Sequence, residues 1–171
     1  FAAALTTSAD IGPVEAPGST TIENGIFTVH GAGADIGGSR DEFRFVHASL
    51  DRDGEITARV DSLSETHAWT KAGVIIRETL DQSSRFAYTF VSIDNGVGFQ
   101  YRSVTGDSAQ RSGAYDGVTR APYWVRLQRI GNVFTSYVSA DGHTWRQQGN
   151  PVTIAMSANV YVGLAVTSGY N

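Results

Sequence analysis

Apolar and polar residues alternate with a period of two along most of this chain, and no helical period is sustained. The alternation predicts strands over residues 25–30, 42–47, 55–60, 72–77, 86–93, 98–103, 123–130, 133–139 and 160–166. Turn residues punctuate them: Gly31-Ala32-Gly33, Asp51-Arg52-Asp53-Gly54, Asp81-Gln82-Ser83-Ser84, Asp94-Asn95-Gly96 and Gly131-Asn132. About nine or ten strands at a spacing of roughly 10 to 15 residues predict an all-β fold, a sandwich or a barrel.

One stretch, Ser139-Ala140-Asp141-Gly142-His143-Thr144-Trp145, looks like the Asp box of sialidase propellers. It occurs once, it is one residue short between Asp and Gly, and no blade-length repeat accompanies it. It therefore predicts a tight hairpin turn, in which Gly142 supplies a positive φ without steric cost.

Composition narrows the function classes. The 171 residues suit one domain, read as 7–171, with 1–6 as an N-terminal extension or processing remnant. A net charge of −4 gives no general attraction for nucleic acid or anionic membrane, and no apolar run approaches the ~20 residues of a bilayer span. With no cysteine, the chain has no disulfide, thiolate metal site or thiol catalysis. Nineteen glycines and seven tyrosines lean toward an extracellular β-protein.

Several segments in order carry a resemblance. They are 34–38 with 42–46, 53–60, 69–78 (Trp-Thr-Lys-Ala-Gly-Val-Ile-Ile-Arg-Glu), 96–102, 121–129, 139–145 and 161–168. Together, over about residues 7 to 168, they resemble concanavalin A-like (laminin G-like) jelly-roll domains found as modules of secreted bacterial proteins. The resemblance implies a two-sheet antiparallel β-sandwich, one sheet curved into a shallow groove, together with secretion and a carbohydrate-binding or adhesive role. It requires no cofactor and leaves room for one structural calcium near the chain ends, with Asp10 or Asp35 contributing. Such domains usually continue into one more strand beyond the final Thr-Ser. Without it, a sheet edge is expected to stand open to strand addition, by residues 1–5 or by another molecule.

Strand parity then selects candidate binding residues. Ala72, Val74 and Ile76, Phe99 and Tyr101, and Tyr123, Val125 and Leu127 make apolar faces for the core. The opposite faces carry Trp69, Lys71, Arg77, Gln100, Arg102, Trp124, Arg126 and Gln128. Indole rings stack on the C–H face of a pyranose, while amides and guanidiniums bond its hydroxyls or acidic groups. These eight residues are expected to share one water-facing surface that binds a polysaccharide or other glycan. The plainer alternative is a solvated sheet face on which Arg and Lys stems cover apolar surface, in a structural or adhesive subunit that assembles with other chains. Tyr115, in the loop 112–117, is read either as a rim contact or as a lid on the local core.

Catalysis finds little support. The E-x-D-x-E and E-x-x-x-E strand patterns of glycosidases on this fold are absent. Asp51, Asp53 and Glu55 sit in a turn, read as an acidic β-turn rather than half a calcium loop. His30, His47, His67 and His143 belong to separate segments. No phosphate-cradling loop or zinc motif occurs.

Overall fold

The computed structural model describes residues 4–170, among which every regular element is a strand. In chain order these are β1 (Thr7–Ile11), β2 (Ser19–Glu23), β3 (Ile26–His30), β4 (Ile36–Gly37), β5 (Arg40–Asp41), β6 (Phe43–Asp51), β7 (Gly54–Val60), β8 (Lys71–Arg77), β9 (Phe86–Ser92), β10 (Gly96–Arg102), β11 (Gln110–Arg111), β12 (Tyr123–Ile130), β13 (Val133–Ser139), β14 (Arg146–Gln147), β15 (Val152–Thr153) and β16 (Asn159–Thr167). All nine predicted strands are present. The additional ones are short, or, like Thr-Ser-Ala-Asp-Ile in β1, lack the β-branched alternation that would announce them. Of the proposed 1–6 extension, residues 1–3 lie outside the described residues.

A seven-stranded sheet in the order β1-β6-β16-β8-β9-β10-β11 faces a five-stranded sheet, β14-β13-β12-β7 with β15 beside β13. Every pairing is antiparallel. The fold is a β-sandwich. Val74, Ile76, Val91, Val97 and Phe99 from one sheet meet Val125, Leu127, Phe134 and Val138 from the other. Each such side chain contributes about 1.5–3 kcal/mol by leaving water. Two hydroxyls buried in this layer satisfy each other across the sheets, Thr89 Oγ1 and Ser136 Oγ at 2.8 Å. Tyr101 lies on this side, half-buried against the core.

The outer face of the seven-stranded sheet is a second core, not a water-facing surface. Phe43, Phe45, Ile75, Phe86, Tyr88, Phe90 and Ala165 are buried there, beneath Ile36 of the β4–β5 hairpin and the half-buried Tyr115. This explains why β8 and β9 are buried at all seven positions each. Backbone bonds from Asp41 to Gln82 and from Ala109 to Gly38 hold the covering segments in place.

Asp141 closes the 139–145 turn as expected, though the loop is longer than a two-residue turn. Its carboxylate accepts the backbone N–H groups of His143 and Thr144 and the Ser139 hydroxyl, and β14 then pairs back onto β13.

Candidate functional site

The eight predicted residues do not share one surface. Trp69 and Lys71 lead into β8, Arg77 ends it, and Gln100 and Arg102 lie on β10, all in the seven-stranded sheet. Trp124, Arg126 and Gln128 lie on β12, in the other sheet, on its outward face. Parity fixes which face of a strand a residue takes, but not which sheet the strand joins, so the two groups emerge on opposite sides of the sandwich.

Arg77 and Arg102 are wholly buried around the equally buried Asp41. Arg102 grips both carboxylate oxygens (Nη2 to Oδ1 2.7 Å, Nη1 to Oδ2 2.9 Å), and Arg77 Nη1 donates to Oδ2 at 3.1 Å. The remaining donors bond backbone: Arg77 to Thr79 and Asp81, and Arg102 to Gly37, Gly38, Ser84 and Asp107. Phe43 and Phe86 pack against the two guanidiniums. Burial lowers the Arg77 pKa, and the Asp41 charge opposes that shift. With every fork occupied, these arginines bind the protein's own loops and have nothing to offer a ligand.

On the five-stranded sheet, each indole is covered on one side by the protein. Arg126 lies over the Trp145 ring at 3.9 Å while its Nε donates to Thr57. Gly142 abuts Trp124 so closely that a Cβ there would sit 2.8 Å from the ring. Gln128 Nε2 donates to Glu55 at 3.3 Å.

Trp69, Lys71 and Gln100 do converge, at one end of the seven-stranded sheet. The Lys71 ammonium donates to Asp35 Oδ1 at 2.6 Å and to Gln100 Oε1 at 3.1 Å, and lies 5.1 Å from the Trp69 and Phe90 ring centres. Its side chain is 1% exposed and that of Asp35 is 43% exposed, so a buried cation holds a carboxylate out toward water. Burial lowers the Lys71 pKa, and Asp35 opposes the shift. Tyr115 meets Trp69 edge-on at 5.5 Å, with the exposed Arg111 guanidinium 5.5 Å from its ring centre.

Gly98 makes room for this tyrosine. A Cβ at that position would lie 2.5 Å from Phe90 and 2.6 Å from the Tyr115 ring. Burial raises the Tyr115 pKa, so the hydroxyl remains a proton donor. Among the described residues, Arg111 makes no ion pair and nothing donates to Asp35 Oδ2. Sequence reading missed Asp35 and Arg111 as contacts. The one available signal was Gly98, set between Val97 and Phe99 in the interior of β10, since a glycine inside a strand marks a close approach.

Of the carboxylates named for calcium, Asp10 pairs with Arg44 at 3.2 Å and Asp35 with Lys71 at 2.6 Å. Asp53 accepts the Gly131 N–H of the β12–β13 turn, consistent with a turn role. His47 is buried and stacked on Phe45 at 4.8 Å.

No family profile matches the chain, and no curated protein matches it significantly. Solved structures do. A functionally unknown protein from Saccharomyces cerevisiae superposes with a TM-score of 0.73 at 18% identity, over 96% of this chain and 88% of that one. The carbohydrate-binding module CBM66 from Bacillus subtilis gives a TM-score of 0.63 at 14% identity, covering 98% of both chains. A mutant of the GH43 protein BlXynB from Bacillus licheniformis gives 0.53 at 10% identity, over 73% of this chain and 29% of that larger one. At these identities the likeness is one of fold. The β-sandwich of this chain matches the fold of CBM66 over nearly the whole length of both.

Proposed function

We propose that this chain is a non-catalytic carbohydrate-binding module that holds a glycan at the Trp69–Tyr115 end of the seven-stranded sheet. The observation that carries the reading is the meeting of two aromatic rings with polar groups at one place: Trp69 and Tyr115 beside Asp35 Oδ2 and Arg111, with Gln100, held by Lys71, next to them. The rings offer apolar area to a sugar's C–H face, and the polar groups offer both acceptors and donors to its hydroxyls. Lys71 sets the floor of the site and orients Asp35 and Gln100 without reaching the ligand itself. The CBM66-like fold supports the class of ligand. Secretion is part of the reading and rests on the resemblance to modules of secreted bacterial proteins.

Affinity gel electrophoresis against a panel of soluble polysaccharides tests this. At least one polysaccharide should retard the protein, with retardation lost in Trp69→Ala and Tyr115→Ala and kept in Trp124→Ala. Retardation that survives both Trp69→Ala and Tyr115→Ala, or that no polysaccharide produces, would remove the site.

A further inference from the structure

The five-stranded sheet ends at β7, whose second edge has no partner among the described residues. Ile56 and Ala58 of β7, and Leu164 and Val166 of β16, are only half-buried against the core. A cleft of about 850 Å³ borders the first half of β7, lined by Leu5, Phe27, Leu50, Ile56, Ile130 and Val162. Ile130 is 59% exposed and Ile26, on the neighbouring hairpin, 61%. An unpaired edge beside apolar surface is a template for another strand.

The sequence of β7 specifies which strand. It reads Gly-Glu-Ile-Thr-Ala-Arg-Val, with Glu55, Thr57 and Arg59 on the exposed face and Ile56 and Ala58 turned toward the core. If two copies of this strand run antiparallel with Thr57 opposite Thr57, all seven residues pair. Glu55 of each copy then faces Arg59 of the other, and Ile56 faces Ala58. The charge pattern is its own complement about a two-fold axis, as an isologous interface requires.

A register shifted by two residues toward the C-terminus would instead set Glu55 against Asp61 and is disfavoured. In the single chain, Arg59 bridges to Asp61 at 3.2 Å and Glu55 lies 3.9 Å from Arg126. Both contacts are surface pairs of small energetic weight and free to be shared. We infer that β7 pairs with β7 of a second copy, joining the two five-stranded sheets into one continuous sheet across a two-fold dimer.

Sedimentation velocity over a concentration series tests the inference with charge reversals at exposed positions that the fold does not depend on. The native protein should dimerise. Glu55→Arg and Arg59→Glu each replace two attractive cross-strand pairs with two repulsive ones, weakening the dimer about tenfold or more. The double variant Glu55→Arg/Arg59→Glu restores complementarity and should return to within about threefold of the native constant. A dimer indifferent to the single reversals, or not rescued by the double, would place the interface elsewhere and overturn the inference. A native protein monomeric to about 1 mM would also overturn it, leaving the edge to the chain's own N-terminal residues or to a foreign strand.

Discussion

Replacing Asp41 with Asn removes one negative charge and leaves two buried guanidiniums facing each other. In the native protein the carboxylate accepts three N–H groups from Arg77 and Arg102, and all three side chains are at 0% exposure. An asparagine keeps one acceptor oxygen, but it turns an amide N–H₂ toward cations that have no acceptor to give. Breaking a buried ion pair by removing one partner costs about 3–5 kcal/mol, a large share of the roughly 5–15 kcal/mol that holds a domain folded. For a chain of this size, about 2–4 °C per kcal/mol converts the loss to a fall of roughly 6–20 °C in Tm. Urea unfolding followed by tryptophan fluorescence reads it directly. The midpoint should fall with an unchanged slope, since the surface exposed on unfolding is the same. In dilute, monomeric protein, Arg59→Ala, which within the chain breaks only the exposed pair with Asp61, should cost no more than about 0.5 kcal/mol. If Asp41→Asn cost less than about 1 kcal/mol, the cluster would not be clamping the covering loops electrostatically, and packing of Phe43 and Phe86 would have to carry that role.

Two further outcomes follow from the same geometry. Gly98→Ala puts a methyl group into the Tyr115 and Phe90 rings, so thermal melts should show a loss of about 1–3 kcal/mol, typical of overpacking. Tyr115, the partner on a loop, should be displaced and glycan retention lost. Retention at the native level would show that Tyr115 takes no part. For Asp141, the hydrogen bonds it accepts from His143, Thr144 and Ser139 hold its carboxyl well below the usual carboxylate range. A depressed folded pKa gives stability that is complete above the unfolded value near 4 and is lost as pH falls toward the folded one. The stability gap between native protein and Asp141→Ala should thus hold from pH 7 to about pH 5 and narrow below about pH 4. A gap that stayed constant down to pH 2 would contradict that role.

The strands were legible because turn residues and two-residue alternation are local signals. The second core was half-legible. In β9, Phe86, Tyr88 and Phe90 oppose Ala87, Thr89 and Val91, so neither face is polar, and a strand apolar on both faces is buried on both. Arg77 and Arg102 misled because a long cation beyond the end of an apolar run reads as solvated. Their shared partner Asp41 lies 36 and 61 residues away in the chain, a separation that no local pattern reveals. Trp124 misled for a different reason: its strand's face was read correctly, but membership of the second sheet depends on pairings that β7, β12 and β13 make only in the folded chain.

A glycan bound as proposed meets the protein at Trp69. With three tryptophans in the chain, each can be watched alone. Titrating the retarding polysaccharide into Trp124→Phe/Trp145→Phe should give a saturable change in the emission of Trp69. The same titration of Trp69→Phe should be silent. A saturable response in Trp69→Phe, with none in the variant that keeps only Trp69, would move the binding surface to the five-stranded sheet and rule out the Trp69 site.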